Sequence, residues 1–228
     1  MREPVHDGRE TGAEAMRRDR ELLAEACGGI RSRTHGWANP VLTLGRTQRL
    51  GAAAAGELAA AGVEAVGRPT GGGWLLHLPG DLALTLAVPG PLARGSLREA
   101  ARATGALIVE ALRSLGVEAS LAPGAHPPRR AEGCFSRADR DEVVAGGVKV
   151  AGVAVARCRS GLLVQAAVPL VPAPEALAAV AERWDPQRAR AVERLAGIEE
   201  ARLAEGIAAS ASAGAFRLAS ATLRGALR

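Results

Sequence analysis

The sequence predicts an α+β fold with a mixed, largely antiparallel sheet flanked by helices. Helix-like and strand-like stretches come in runs, not as a steady βαβ alternation. The strand-like stretches are short Val/Leu-rich runs bounded by Gly and Pro, as half-buried or buried strands require. With 228 residues, 48% of them hydrophobic, the chain is long enough for one substantial core. Aromatics are few (Trp37, Trp74, Trp184, Phe135 and Phe216, with no tyrosine), so Leu, Val and Ala must build that core.

Residues 1–13 are polar and read as a flexible leader. Ala13 to Cys27 reads as a helix with Met16, Leu22, Leu23 and Ala26 on its apolar side, ended by Gly28–Gly29. Val41–Leu44 is a short strand closed by Gly45. Leu50 to Ala61 is an Ala-rich helix stopped by Gly62. Val63–Val66 leads into Arg68-Pro-Thr-Gly-Gly-Gly73, Trp74–His77, a Pro79–Gly80 turn and the buried-type strand Leu82–Val88. Ser96 with Glu99 three residues on is a capping box that opens a helix to about Leu115, and Gly116 suits its C′ position. A Pro/Arg-rich loop, Ala122 to Arg130, precedes a hairpin made of Glu142–Ala145, a Gly146–Gly147 turn and Val148–Ala156. Leu162–Val168 is a further strand. From Pro174 on the chain reads as helical. The expected organisation is a leader (1–13), a core domain (14–172) and a helical segment of the same domain (173–228).

The net charge of +5 favours acidic partners, an acidic carrier protein among them. Nucleic acid is not expected, because no aromatic platform is interleaved with the basic residues. Three cysteines without a C-x-x-C pair imply neither a disulfide framework nor a zinc site, and no histidine shows metal-ligand spacing. The N-terminus lacks an apolar signal region, and no apolar stretch is long enough to cross a bilayer. The expectation is a cytoplasmic protein that engages no membrane and binds no metal.

Of the 29 Lys and Arg residues, 28 are Arg. The single lysine, Lys149, hints at a role needing a compact, tunable ammonium. The glycines of Arg68–Gly73 either let the backbone approach a ligand or simply form a sharp turn. The motif is neither a P-loop nor a dinucleotide fingerprint. His77 follows closely, either orienting that loop or capping a strand. Cys134 is the remaining candidate. A thiolate is the reactive form of cysteine, and an ammonium nearby favours it. Cys134 precedes the hairpin and Lys149 sits on its second strand, so the two are able to meet. A buried, inert thiol is the plain alternative.

Taken together, these blocks resemble the lipoate-attachment family of lipoate–protein ligases and octanoyltransferases, related in fold to biotin ligases. Thr34-His-Gly-Trp37 through Val41–Gly45 to Gln48 resembles the family's opening strand. Arg68–Gly73, His77 and Gly80-Asp-Leu82 resemble its signature loop, and Gly147-Val-Lys149-Val-Ala-Gly152-Val-Ala154 with Arg157 its lysine strand. The Cys134-Phe135 element, 15 residues before Lys149, is similar to the octanoyltransferase branch with a Cys–Lys pair. The resemblance implies that Cys134 and Lys149 are catalytic. It implies that Arg68, Thr70, Gly71, Gly72, Gly73, His77, Gly152 and Ala154 bind substrate. It also implies an acyl carrier protein as donor, a lipoyl domain or glycine-cleavage H protein as acceptor, a monomeric enzyme, and no cofactor. Two alternatives remain: an ATP- and Mg-dependent lipoate–protein ligase, and a divergent, non-catalytic acyl-carrier-binding member. The chain departs from the transferase pattern at Gly73, Leu78, Val153, Val155 and Ala166.

Overall fold

The computed structural model describes residues 5–26, 29–123 and 140–212. Thr11 caps the first helix, α1 (Gly12–Glu25): its side chain accepts from the Glu14 amide, and the Glu14 carboxylate accepts from the Thr11 amide at 3.0 Å. Strand β1 (Val5–Glu10) precedes that helix and β2 (Arg31–Trp37) follows it. They pair in parallel, which a crossover element such as α1 makes possible. The same device recurs where α2 (Ala52–Ala60) links β3 (Val41–Leu44) to its parallel neighbour β4 (Glu64–Gly67).

The remaining strands are β5 (Leu75–His77), β6 (Leu82–Pro89), β7 (Ala119–Leu121), β8 (Val143–Ala145), β9 (Val148–Cys158) and β10 (Gly161–Val168). The longest helix, α3 (Leu97–Ser114), starts at the Ser96–Glu99 capping box. The described residues then run through α4 (Ala178–Trp184), α5 (Arg188–Arg194) and α6 (Glu200–Ser212). A seven-stranded sheet runs β1-β2-β6-β10-β9-β8-β7, antiparallel except at β1–β2, and a three-stranded sheet runs β4-β3-β5.

The large sheet separates two environments. Leu84, Leu86, Val164 and Ala151 face α3 and α6, where Leu107, Ile108, Leu112, Leu203 and Ile207 are buried. Burying each such Leu or Ile contributes about 1.5–3 kcal/mol. The opposite face receives α1 and the small sheet, through Met16, Trp37, Val41 and Ala83. The small sheet's outer side packs on α2 and α4 through Leu42, Leu58, Leu76 and Trp184.

The leader expectation is corrected for residues 5–10, which form an edge strand. The charges that suggested a solvated segment are neutralised by a tertiary partner. Arg33, 3% exposed, donates to Asp7 Oδ2 at 2.9 Å, to Asp19 Oδ1 at 3.1 Å and to Glu10. The C-terminal segment is tied in similarly. Arg188 on α5 donates to both oxygens of Asp81 at 2.6 Å, to Leu76 O at 3.2 Å and to Val171 O at 3.0 Å.

Candidate active site

The site's floor is the face of the large sheet turned towards α1 and the small sheet. Directly opposed residues share a face. One row therefore runs His35–Ala83–Ala167–Gly152 and the next Arg33–Thr85–Gln165–Ala154. Strict alternation would turn Lys149 away from Gly152, three residues on. A bulge prevents that. Val143 pairs with Ala151, but Val144 pairs with Lys149, so one residue of β9 is left over at Val150. Lys149 thus shares the face of Gly152 and Ala154. Its Nζ donates to Glu142 Oε1 at 2.6 Å, and it is 5% exposed.

Above the floor, a pocket is enclosed by Asp19, His35, Trp37, Arg68, His77 and Gln165, with Thr43, Thr85, Gly152 and Ala154 among the other lining residues. The free space between them is about 30 Å³, enough for one or two water-sized groups.

Arg68–Gly73 forms the wall beside β3. Its carbonyls turn inward onto its own arginine: Arg68 donates to Gly71 O at 2.8 Å and Gly73 O at 2.6 Å, and also to Thr43 O of β3 at 3.2 Å. Arg68 therefore organises the loop from within. Gly72 has φ +92°, a conformation suited to glycine. At Gly45 a side-chain carbon would lie 2.0 Å from the Gly72 carbonyl, so only glycine at the end of β3 lets the loop pass. Thr70, fully buried, donates to Gln165 Oε1 at 2.6 Å, and Gln165 Nε2 donates to Asp19 Oδ2 at 2.5 Å. A continuous relay therefore links the glycine loop to helix α1. Burial pushes the Asp19 carboxyl up to about 6, against the opposing pull of Arg33 and the Gln165 hydrogen bond.

His77 stacks on Trp37 at 4.1 Å, and its Nε2 lies 2.9 Å from Thr43 Oγ1. Burial, then the Arg68 charge, hold the His77 imidazole well below its ordinary pKa, so it is neutral. Thr43 Oγ1 accepts from Arg68 and is free to donate its own proton to His77 Nε2. His35 is also kept neutral, by burial and then by Arg33.

Near the Lys149 end lies a carboxylate that the sequence did not single out. Asp185 is 4% exposed and 3.7 Å from Arg188 Nη1, and neither of its oxygens accepts a hydrogen bond. Burial pushes it up to about 7; Arg188 opposes, Asp81 reinforces, and Lys149 opposes.

The structure gathers Arg68, His77, Gly152 and Ala154 around one pocket and sets Lys149 on the same floor. Thr70 and the three glycines form the loop behind Arg68. Cys134 lies outside the described residues. Asp19, His35, Trp37, Thr43 and Gln165 also line the pocket, though none of them was among the site candidates. The alternation Arg33, His35, Trp37 along one strand was the available signal.

A strand floor, an inward-folded glycine loop and an ion-paired lysine thus meet around one pocket of this α+β domain. The chain belongs to the lipoyl protein ligase A/B catalytic domain family, whose model matches residues 11–204. It is 34% identical over 140 residues to the octanoyltransferase LipM of Symbiobacterium thermophilum, covering 58% of this chain and 50% of that protein. To the LipM of Carboxydothermus hydrogenoformans it is 32% identical over 166 residues, covering 69% and 61%. The chain thus aligns with only half to three-fifths of these relatives' length. Among solved structures, lipoate-protein ligase A bound with ATP superposes with TM-score 0.74 at 16% identity, covering 98% of this chain and 92% of that one. The bipartite lipoate protein ligase of Thermoplasma acidophilum superposes with TM-score 0.67 at 16% identity, covering 99% and 91%. Both show the fold.

Proposed function

We propose that the chain transfers an octanoyl or lipoyl group from an acyl carrier protein to a lysine of a lipoyl domain or glycine-cleavage H protein, through a thioester on Cys134. The observation that carries this reading is the Val150 bulge, which sets the chain's only lysine on the floor that Gly152 and Ala154 share with the pocket. The relatives named octanoyltransferase support the choice of reaction.

In the first step the Cys134 thiolate attacks the donor's thioester carbonyl, and the carrier thiolate leaves and takes up a proton. In the second, the acceptor's neutral lysine amine attacks the Cys134 thioester. An amide forms, the amine loses a proton, and the Cys134 thiolate is released. Lys149 stabilises the thiolate and the carbonyl oxygen electrostatically. The position of Cys134 in the chain is compatible with this. Asp141 N donates to Ala122 O at 3.0 Å and Ala122 N to Glu142 O at 2.8 Å. The segment carrying Cys134 therefore leaves and returns beside Glu142, the partner of Lys149. The reaction needs no cofactor, and the proposal takes the enzyme as a monomer.

The test is intact mass after incubation with octanoyl-acyl carrier protein. A hydroxylamine-labile adduct of one octanoyl group is expected, absent in Cys134→Ser. Formation of an acyl-adenylate from lipoate and ATP, with no adduct, would replace this reading by a ligase. Neither product would leave a binding protein.

A further inference from the structure

Lys149 carries its charge on a long, flexible stem, so its ammonium points in one direction only when something fixes it. The side chain is 3% exposed, which takes the ammonium largely out of water and calls for an anion close by. Glu142 supplies one. Lys149 Nζ donates to Glu142 Oε1 at 2.6 Å, a short, charge-assisted bond. Asp185 also feels the Lys149 charge, yet neither of its oxygens accepts a hydrogen bond.

Glu142 is itself fixed from both sides. Val143, next along the chain, pairs with Ala151 of β9. On the other side, Asp141 has φ +69°, the left-handed conformation, and is the only non-glycine residue with a positive φ among the described residues. Its surroundings hold it there. Asp141 N donates to Ala122 O at 3.0 Å, Ala122 N donates to Glu142 O at 2.8 Å, and Arg98 Nε on α3 donates to Asp141 Oδ2 at 2.7 Å. A residue kept in a sparsely populated conformation marks a place where the surrounding structure specifies the geometry. What is specified here is the point from which the Glu142 side chain starts. Glu142 lies two residues before Val144, the strand partner of Lys149, and so comes to the face that Lys149 shares with Gly152 and Ala154.

We propose that Glu142 is a positioning residue: its carboxylate fixes the Lys149 ammonium on the face shared with Gly152 and Ala154, so that the ammonium meets an acyl carbonyl without first having to be ordered. This rests on the reading of Lys149 as the group that stabilises that carbonyl. Glu142 acts through Lys149. A donor already in place when charge develops on the carbonyl oxygen costs no reorganisation at that moment, and a mobile one does.

Because the chain has a single lysine, labelling the full chain with [15Nζ]lysine gives one ammonium resonance, that of Lys149. Its order parameter reads positioning without turnover. The ammonium should be rigid in the parent. In Glu142→Gln, which keeps the shape and loses the charge, the order parameter should fall below about 0.6. For octanoyl transfer, Glu142→Gln should lower kcat on the order of 10²-fold while KM for octanoyl-acyl carrier protein stays within about twofold. Glu142→Asp, which restores the charge one methylene short, should return a rigid lysine and roughly tenfold of the lost kcat. An ammonium as rigid in Glu142→Gln as in the parent overturns the proposal, and so does a loss confined to KM. Should Glu142→Gln fail to fold, a hydrogen-bond coupling between Lys149 Nζ and the 13C-labelled Glu142 carboxylate in the parent decides: its presence supports the assignment and its absence overturns it. The octanoyl-adduct measurement separates the two failures. A parent that forms no adduct but loses its rigid lysine in Glu142→Gln sinks the transfer reading and leaves the assignment of Glu142 standing. An adduct with a lysine indifferent to Glu142 does the reverse.

Discussion

Asp185 is the residue whose chemistry most directly shapes the behaviour of the folded chain. Its carboxyl is raised to about 7 in the fold from an ordinary value near 3.8, so the native state holds a proton that the unfolded chain releases. Asp19, raised to about 6, acts in the same direction. Where the native state binds more protons, stability falls as pH rises. Both contributions are therefore fully present below about pH 4 and lost progressively up to about pH 6 for Asp19 and 7 for Asp185. Asp185→Asn should raise the melting temperature at pH 8 and flatten its decline between pH 5 and 8, followed by thermal melts in a buffer series. A steeper decline in the variant would refute this. At this scale the sequence was informative only for unusual residues. Lys149 stood out as the lone lysine, whereas Asp185 and Arg188 look like ordinary surface charges until tertiary packing buries both. Glu142, the partner of Lys149, lay in the predicted hairpin, but nothing local identified it as an ion-pair acceptor.

Among the elements, the Arg68–Gly73 loop and β3 act as a unit. Arg46 N donates to Thr70 O and Arg68 N to Leu44 O, both at 2.9 Å, while Gly45 admits the Gly72 carbonyl. Gly45→Ala must push the loop off its seat and misalign Arg68. A displacement of about 1 Å in a substrate-positioning segment costs on the order of 10²-fold in rate. The expected result is that loss in kcat/KM for the proposed octanoyl transfer, with a cooperative melt retained; activity within twofold of the parent would show that the loop position does not matter. Local signals were legible here. The Ser96–Glu99 capping box, the Gly146–Gly147 hairpin turn and the strand read as Leu82–Val88 depend on near neighbours, and the structure has them there, with the strand one residue longer. The bulge in β9 was not legible, because a bulge is set by what the partner strand offers, and Val150 itself carries no mark of it.

For the whole molecule, β1 ties the N-terminal residues into the pocket's electrostatics. Removing residues 1–10 would delete the edge strand and leave Arg33 buried with only Asp19 of its three carboxylates. A buried charge left with no partner costs about 3–5 kcal/mol, which is the upper bound here because Asp19 remains. That is a large share of a typical stability of about 5–15 kcal/mol, and corresponds to a melting temperature lower by up to roughly 10 °C. Arg33→Met in the truncated chain should recover part of the loss, since it removes the stranded charge; no recovery would mean that strand pairing rather than charge dominates. The fold class and the largely antiparallel sheet followed from patterning, but β1 did not, because its carboxylates are accounted for by tertiary partners, Arg18 and, more than twenty positions away, Arg33.

The bulge at Val150 has a consequence for how this chain can change. The orientation of Lys149 depends on a count of residues and not on the identity of its neighbours. Substituting the small apolar residues around it leaves the lysine on the face it shares with Gly152 and Ala154. Adding or removing one residue between Lys149 and Gly152 would turn the ammonium towards helix α3, with the strand pairings on either side still made. This stretch of β9 is therefore tolerant of spelling and intolerant of length.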